Sequence, residues 1–501
     1  MKNKRKHSSI LKYPFQSMLE DAEQVKYDEF LRQVRLHLNL SKQYTLQIVN
    51  DFNAAIQYYL EHGVSFDDAL NRLNPEQLGG FYAHKAISWY PLDNAAIIYP
   101  LSMKFGQMPI FRLSAYLKED VSPEILQMAL TFTIKRFPSF ATTVKHGVFW
   151  HYLDSSKRRY VVEPERIIPC FPMPVNRTKS QSFRTIFYRN RISVEFFHVL
   201  TDGSGGMIFL KTLVAEYLRL LGHSIPCTDG VFDINGIVDS KELENEFNNT
   251  EKETSSGGFM GKGAVQMSGK ISDVKPCQVL HFEMSATELK KAAHAKGVSV
   301  TSYLLTQMLR SIKYASEETK GTISIQVPVN MRKFNHSVTI RNYAMYFACA
   351  FGLEEISEQD ELFEKVAMQV KERSSRKVMN IMMSTTIKLV QSLKYVPLII
   401  KQPVAKIVYG FLGDRIFSSF LSNLGVVTLP EEMAEYVEKF DFVLGVSNIC
   451  RVSTSLITYQ DQAVYTISKI TMDPTFEERM LKLLEEDGLS VHISGTSIYE
   501  D

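Results

Sequence analysis

Between residues 191 and 218 the hydrophobic period of the chain changes from two to about 3.6, which dictates a strand, a turn and a helix in succession. Arg191-Ile192-Ser193-Val194-Glu195-Phe196-Phe197 alternates polar and apolar residues and ends in aromatics, the pattern of a half-buried strand. After Ser204-Gly205-Gly206, the run from Met207 to Leu218 has the apolar spacing of a helix entering a core. The joint between them is His198-Val199-Leu200-Thr201-Asp202-Gly203. The histidine therefore stands at the end of a strand, on a turn where Gly203 gives the freedom to swing into the helix.

A chain of 501 residues exceeds one ordinary core, so two or three domains or lobes are expected. Its 45% hydrophobic and 22% charged residues are those of a soluble globular protein. A net charge of +2 gives no electrostatic reason for a nucleic-acid partner. The five cysteines, Cys170, Cys227, Cys277, Cys349 and Cys450, stand singly, which argues against a disulfide framework or zinc knuckle and fits a reducing, cytoplasmic location. The basic start, Met1-Lys2-Asn3-Lys4-Arg5-Lys6-His7, is followed by no apolar run, so it reads as no signal peptide.

The chain divides at visible joints. Residues 1–85 read as a helical N-terminal extension, with Ser41 capping one helix, Gly63 stopping it, and Ser65 opening the next ahead of Asp67 and Asp68. Its bland role is a cap on the main body; the functional alternative is a regulatory or partner-binding module. A first lobe is expected over 86–275, starting near Trp89-Tyr90-Pro91-Leu92-Asp93 and closing in a linker from Gly236 to about Lys275. A second lobe, 276–501, begins with a strand (278–284), a helix from Ser285 to about Lys296 and its Gly297 stop. A further helix capped near Ser299 or Thr301 and an alternating strand over 322–329 follow. Strands alternating with helices on both sides of a linker indicate an α/β fold of two lobes.

Residues 376–413 are rich in Met, Ile, Val and Leu, with Lys388, Lys394, Lys401 and Lys406 interspersed. Pro397 and Pro403, together with the lysines, interrupt any membrane span. The two readings are core-packed helices with snorkelling lysines, and an interfacial segment giving peripheral membrane contact or handling an apolar chain. Several competing motifs fail. Gly261-Lys262-Gly263 lacks what a phosphate-cradling loop requires, Gly445-Val446-Ser447-Asn448-Ile449 lacks the closing glycine of a nucleophile elbow, and no His-Glu-x-x-His cluster predicts a metal.

Five segments, taken in order, resemble the chloramphenicol-acetyltransferase-like superfamily, which includes condensation domains and bacterial alcohol acetyltransferase-like proteins. They are Tyr90-Pro91-Leu92-Asp93, Lys135-Arg136-Phe137-Pro138, His198 to Gly203, Val327-Pro328-Val329-Asn330-Met331-Arg332, and Leu421-Ser422-Asn423-Leu424-Gly425. The likeness covers roughly residues 88–501 and leaves the extension aside. Phe197 stands where condensation domains usually carry a first histidine, and Ala141 where a second arginine is expected. Both departures favour the small-molecule acyltransferase branch, with a free acyl-CoA as cosubstrate and no permanently bound cofactor.

Acyl transfer from a thioester to an alcohol or amine needs a base beside the attacking atom, and neutral imidazole suits that task. A lone histidine beside an apolar strand is more often a satisfied core residue; Asp202, Gly203 and the flanking elements favour His198 as the general base. The resemblance implies that Asp202 turns inward to pair with an arginine, either Arg136 or Arg332. Ser422 and Asn423 are candidates for lining the substrate tunnel or donating to the oxyanion. Asn330 and Arg332 read as structural, and Asp441-Phe442-Val443-Leu444-Gly445 as a plain strand. The alternative class is a non-catalytic relative that keeps the fold for binding or assembly.

Overall fold

The computed structural model describes residues 11–84, 89–102, 108–174, 181–249, 263–401, 416–446 and 450–495. It opens with three helices, α1 (Asp21–Leu36), α2 (Lys42–Glu61) and α3 (Phe66–Arg72). Ser41 and Ser65 cap α2 and α3, their hydroxyls accepting the N–H groups of Tyr44 and Asp68. Gly63 follows α2 with φ of 75°, as a helix stop should. These helices sit directly on the body. Phe52 meets Phe132 edge-on with centroids 6.0 Å apart, the Tyr59 hydroxyl donates to the Leu220 carbonyl at 2.7 Å, and Arg159 pairs with Asp51 at 2.6 Å. The extension shares one hydrophobic core with the first lobe.

The chain then runs through β1 (Trp89–Pro91), α4 (Ile98–Ser102), β2 (Ile110–Leu117), α5 (Pro123–Thr133), β3 (Thr142–His146), β4 (His151–Ser155), β5 (Val162–Pro164), β6 (Phe183–Tyr188), β7 (Arg191–Phe197) and α6 (Gly203–Leu221). Next come β8 (Gln278–Ser285), α7 (Ala286–Ala295), α8 (Val300–Tyr314), β9 (Thr322–Asn330), α9 (Arg332–Asn335), β10 (Ala344–Gly352), α10 (Glu361–Arg373) and α11 (Arg376–Ser392). The chain closes with β11 (Ser419–Val427), α12 (Glu431–Ala434), β12 (Val437–Leu444), β13 (Val452–Tyr459), β14 (Gln462–Lys469), α13 (Thr475–Glu486) and β15 (His492–Gly495).

Two main sheets define the lobes: β12-β2-β7-β6-β5 in the first and β10-β9-β11-β13-β14-β8-β15 in the second. A small sheet, β1-β4-β3, flanks the first lobe. The fold is mixed α/β, as expected. The strand and helices expected after residue 277 stand in place, with Ser285 and Ser299 capping α7 and α8.

The stretch that reads as a plain strand is part of β12, which pairs antiparallel with β2 and places Asp441 opposite Ser114, a graft from one half of the chain into the sheet of the other. Two expectations are corrected. The stretch expected as a linker is packed on both sides of residues 250–262, which lie outside the described residues: Phe247 and Val265 are buried in the second lobe's core. Finally, β7 is buried along its whole length, not half-buried. Its polar residues face a buried ionic layer instead of water. Glu195 accepts from Arg112 at 2.8 Å and pairs with Arg184, while the Ser193 hydroxyl donates to that of Ser114 at 2.9 Å. Alternation reports which face is polar, and buried charges survive when they are paired.

Candidate active site

His198 is the first residue beyond β7, anchored by its own N–H donating to the Pro109 carbonyl at 2.9 Å. Its ring is half-buried where the lobes meet. The ring centroids of Tyr99 and Phe111, on the first lobe, lie 4.7 and 5.1 Å from it. From the second lobe, Asn342 Oδ1 lies 2.9 Å from His198 Nδ1. The orientation of that amide is fixed by its other end. Asn342 Nδ2 donates to the Asp93 carboxylate at 3.1 Å and to the His198 carbonyl at 3.0 Å. Oδ1 must then accept, so Nδ1 carries the proton and Nε2 is the basic nitrogen. Asp93 is itself fully buried, accepts the Ala96 N–H at 2.7 Å, and faces Arg341 at 3.7 Å. Burial pushes the His198 pKa below the ordinary imidazole value, against the opposing pull of the Asp202 charge, so the neutral ring is favoured.

Asp202 ties three elements together through its own hydrogen bonds. One oxygen accepts the N–H groups of Ser204 and Gly205, each at 3.1 Å, capping α6. The other accepts from Arg332 Nη1 and from the Tyr343 N–H, both at 2.8 Å. Both partners come from the second lobe. Arg332 completes the corner by donating to the Thr339 and Arg341 carbonyls, at 2.9 and 2.6 Å. Asn330 joins it, donating to the Ser204 hydroxyl at 3.0 Å. Asn330 and Arg332 are thus structural in position, and they brace the histidine loop.

Gly203 is the first helical residue and its backbone is not left-handed, so the expectation that the turn needs its conformational freedom is corrected. Its lack of a side chain serves packing: a Cβ there would stand 2.5 Å from Leu424 Cδ2 on β11. Gly205 is tighter still, since a Cβ would lie 2.1 Å from the Ile340 carbonyl oxygen and 2.2 Å from Thr201 Oγ1. Glycines here let the two lobes approach within backbone contact.

Of the two candidate arginines only Arg332 reaches Asp202. Arg136 pairs instead with Glu242, Nη2 to Oε1 at 2.7 Å, and stacks over Phe232 at 4.3 Å. Ser422 and Asn423 lie on β11, next to the Leu424 that packs against the histidine loop, and are part-exposed. The Asn423 amide is committed elsewhere: Nδ2 donates to Thr301 Oγ1 at 3.1 Å and Oδ1 accepts the Gly425 N–H at 2.8 Å. Sequence reasoning gave Asn342 and Gly205 no role, and named Asp93 only within the Tyr90-Pro91-Leu92-Asp93 segment. Asn342 lies in the polar run Arg341-Asn342-Tyr343 just before β10, the one local sign of a structured corner. Among the described residues, no group of three or more His, Cys, Asp or Glu could hold a metal ion.

Two sheet lobes, the first completed by a strand from the second half of the chain, make a fold that solved acetyltransferase and condensation-domain structures also have. Solved structures with this fold include the Fusarium sporotrichioides protein TRI101 complexed with coenzyme A and T-2, at TM-score 0.55 and 12% identity, covering 81% of this chain and 99% of that one. The trichothecene 15-O-acetyltransferase TRI3 of the same organism matches at TM-score 0.52 and 11% identity, over 80% of this chain and 96% of its own. A mutant starter condensation domain of rhizomide synthetase RzmA, in complex with C8-CoA, matches at TM-score 0.51 and 8% identity, over 81% and 98%. No family model and no curated protein matches the sequence.

Proposed function

We propose that the protein is a CoA-dependent acyltransferase that moves an acyl group from a thioester to the hydroxyl or amine of a small acceptor, with His198 as general base. The observation that carries this reading is the Asn342–His198 hydrogen bond at 2.9 Å; on this reading it keeps the proton on Nδ1 and leaves Nε2 as the base. In the reaction, Nε2 takes the proton of the acceptor O–H or N–H as its heteroatom attacks the thioester carbonyl. The tetrahedral intermediate collapses with cleavage of the C–S bond. The imidazolium returns the proton to the departing thiolate, giving free CoA and the ester or amide. Such proton transfer contributes about 10²–10⁴ in rate.

Asp202 positions the base without touching substrate, through the cap on α6 and its bond to Arg332. Ser422 and Asn423 belong to the strand beside this loop, and the reading assigns them to the wall of the acyl channel. The fold shared with proteins solved in complex with CoA supports acyl-CoA as donor. The test is to incubate purified protein with acyl-CoAs of graded chain length and panels of alcohols and amines, and to follow thiol release. Acceptor-dependent release supports the proposal, and release indifferent to every acceptor removes it.

A further inference from the structure

The turn between β3 and β4 and the segment after α11 form one surface, although one belongs to each lobe. The Leu398 N–H donates to the Val148 carbonyl at 2.9 Å, and Lys401 Nζ donates to the Phe149 carbonyl at 2.8 Å. Lys401 also sits over the Trp150 ring, 3.1 Å from its centroid, and Phe149 meets Tyr395 edge-on at 6.4 Å. With the two backbones hydrogen-bonded together, four apolar side chains on these segments are well exposed. Val148 is 73% exposed, Tyr395 76%, Ile399 83% and Ile400 56%. Exposed apolar side chains on two segments held together in this way mark a candidate interaction site.

The charge along these two stretches of chain is of one sign. From Ser374 to Lys401 the chain carries Arg376, Lys377, Lys388, Lys394 and Lys401 and no acidic residue; from Thr142 to Leu153 it carries Lys145 and none. Lys388 and Lys394 are exposed, and Lys394 lies 5.4 Å from the Tyr395 ring centroid. Lys401 is different: it is buried and fastens the two segments together. Aromatic and branched aliphatic side chains on a segment that also exposes Lys388 and Lys394 match an anionic bilayer surface, where apolar groups enter the acyl boundary and lysines meet headgroups. No described helix is long and apolar enough to cross a membrane, so the contact is peripheral.

We infer that this two-lobe patch, centred on Val148, Tyr395, Ile399 and Ile400, docks the protein on the surface of anionic lipid bilayers. The inference is separate from acyl transfer, because vesicle binding is read without catalysis. The full chain is sedimented with phosphatidylcholine vesicles and with vesicles in which about a third of the lipid is phosphatidylserine. It is expected to pellet with the second and to be released by high salt. The double substitution Ile399→Asp/Ile400→Asp and the pair Lys388→Glu/Lys394→Glu are each expected to lower the bound fraction about tenfold or more, by removing apolar insertion and headgroup attraction respectively. All four residues are exposed, so unchanged melting temperatures identify the loss as one of binding. Wild-type protein remaining in the supernatant with both vesicle types, or retained binding by both variants, would overturn the inference. So would concentration-dependent self-association that Ile399→Asp abolishes, since the patch would then belong to a second copy.

Discussion

Arg332 Nη1 lies 2.8 Å from Asp202 Oδ2, joining the second lobe to the loop that carries His198. Both side chains are largely buried, so the pair is shielded from water, and the same carboxylate caps α6. Removing either partner leaves a buried charge unmatched, at a cost of about 3–5 kcal/mol.

A double-mutant cycle of Asp202→Asn and Arg332→Met tests this coupling. Each single substitution is expected to destabilise by about 3 kcal/mol, and the double substitution by clearly less than the sum, giving a coupling of about 2 kcal/mol. Chemical denaturation of the four proteins measures it. Strict additivity would mean that the lobes are not joined through this pair.

In the proposed mechanism Asn342 sets which nitrogen of His198 is basic. Asn342→Leu keeps the volume but cannot accept from Nδ1, so the ring loses its tautomer and aim. The expected result is a fall in kcat of about 10²-fold with KM little changed, since no substrate contact is removed. Steady-state kinetics separates the two constants.

The pH dependence has a definite sign. Burial lowers the His198 pKa, and in the proposed mechanism the ring takes a proton only when neutral. Activity should therefore be lost as pH falls through a value below about 6.5, the ordinary imidazole pKa, and be flat above it. A kcat/KM profile with its acid limb above that value would contradict the tautomer and burial account.

The two glycines in the first turn of α6 should differ sharply. At Gly203 an added methyl meets only the movable end of the Leu424 side chain, so Gly203→Ala should be mild and relieved further by Leu424→Ala. At Gly205 it meets the Ile340 carbonyl oxygen, part of the backbone, so Gly205→Ala should cost at least the roughly 1–3 kcal/mol typical of overpacking. Thermal melts of the three variants check the order.

Local signals in the chain were legible wherever one segment decides its own shape. Ser41, Ser65, Ser285 and Ser299 each cap the helix that follows, and β8, α7, α8 and β9 follow from period and caps. What depends on distant partners was not. Whether Arg136 or Arg332 pairs with Asp202 turns on how the lobes dock, and Glu242, from a stretch that composition marked as linker, takes Arg136. Asn342 stands 144 residues from the imidazole it orients, beyond the reach of any periodicity. The polar face of β7 read as solvent-facing because sequence cannot show that Arg112, Arg184 and Glu195 satisfy one another inside.

The central claim concerns a single side chain, and acceptor-dependent CoA release by wild type and His198→Ala tests it most directly. The account predicts a loss of about 10²–10⁴-fold in kcat for a variant that melts like the parent. Equal rates in the two proteins would contradict it.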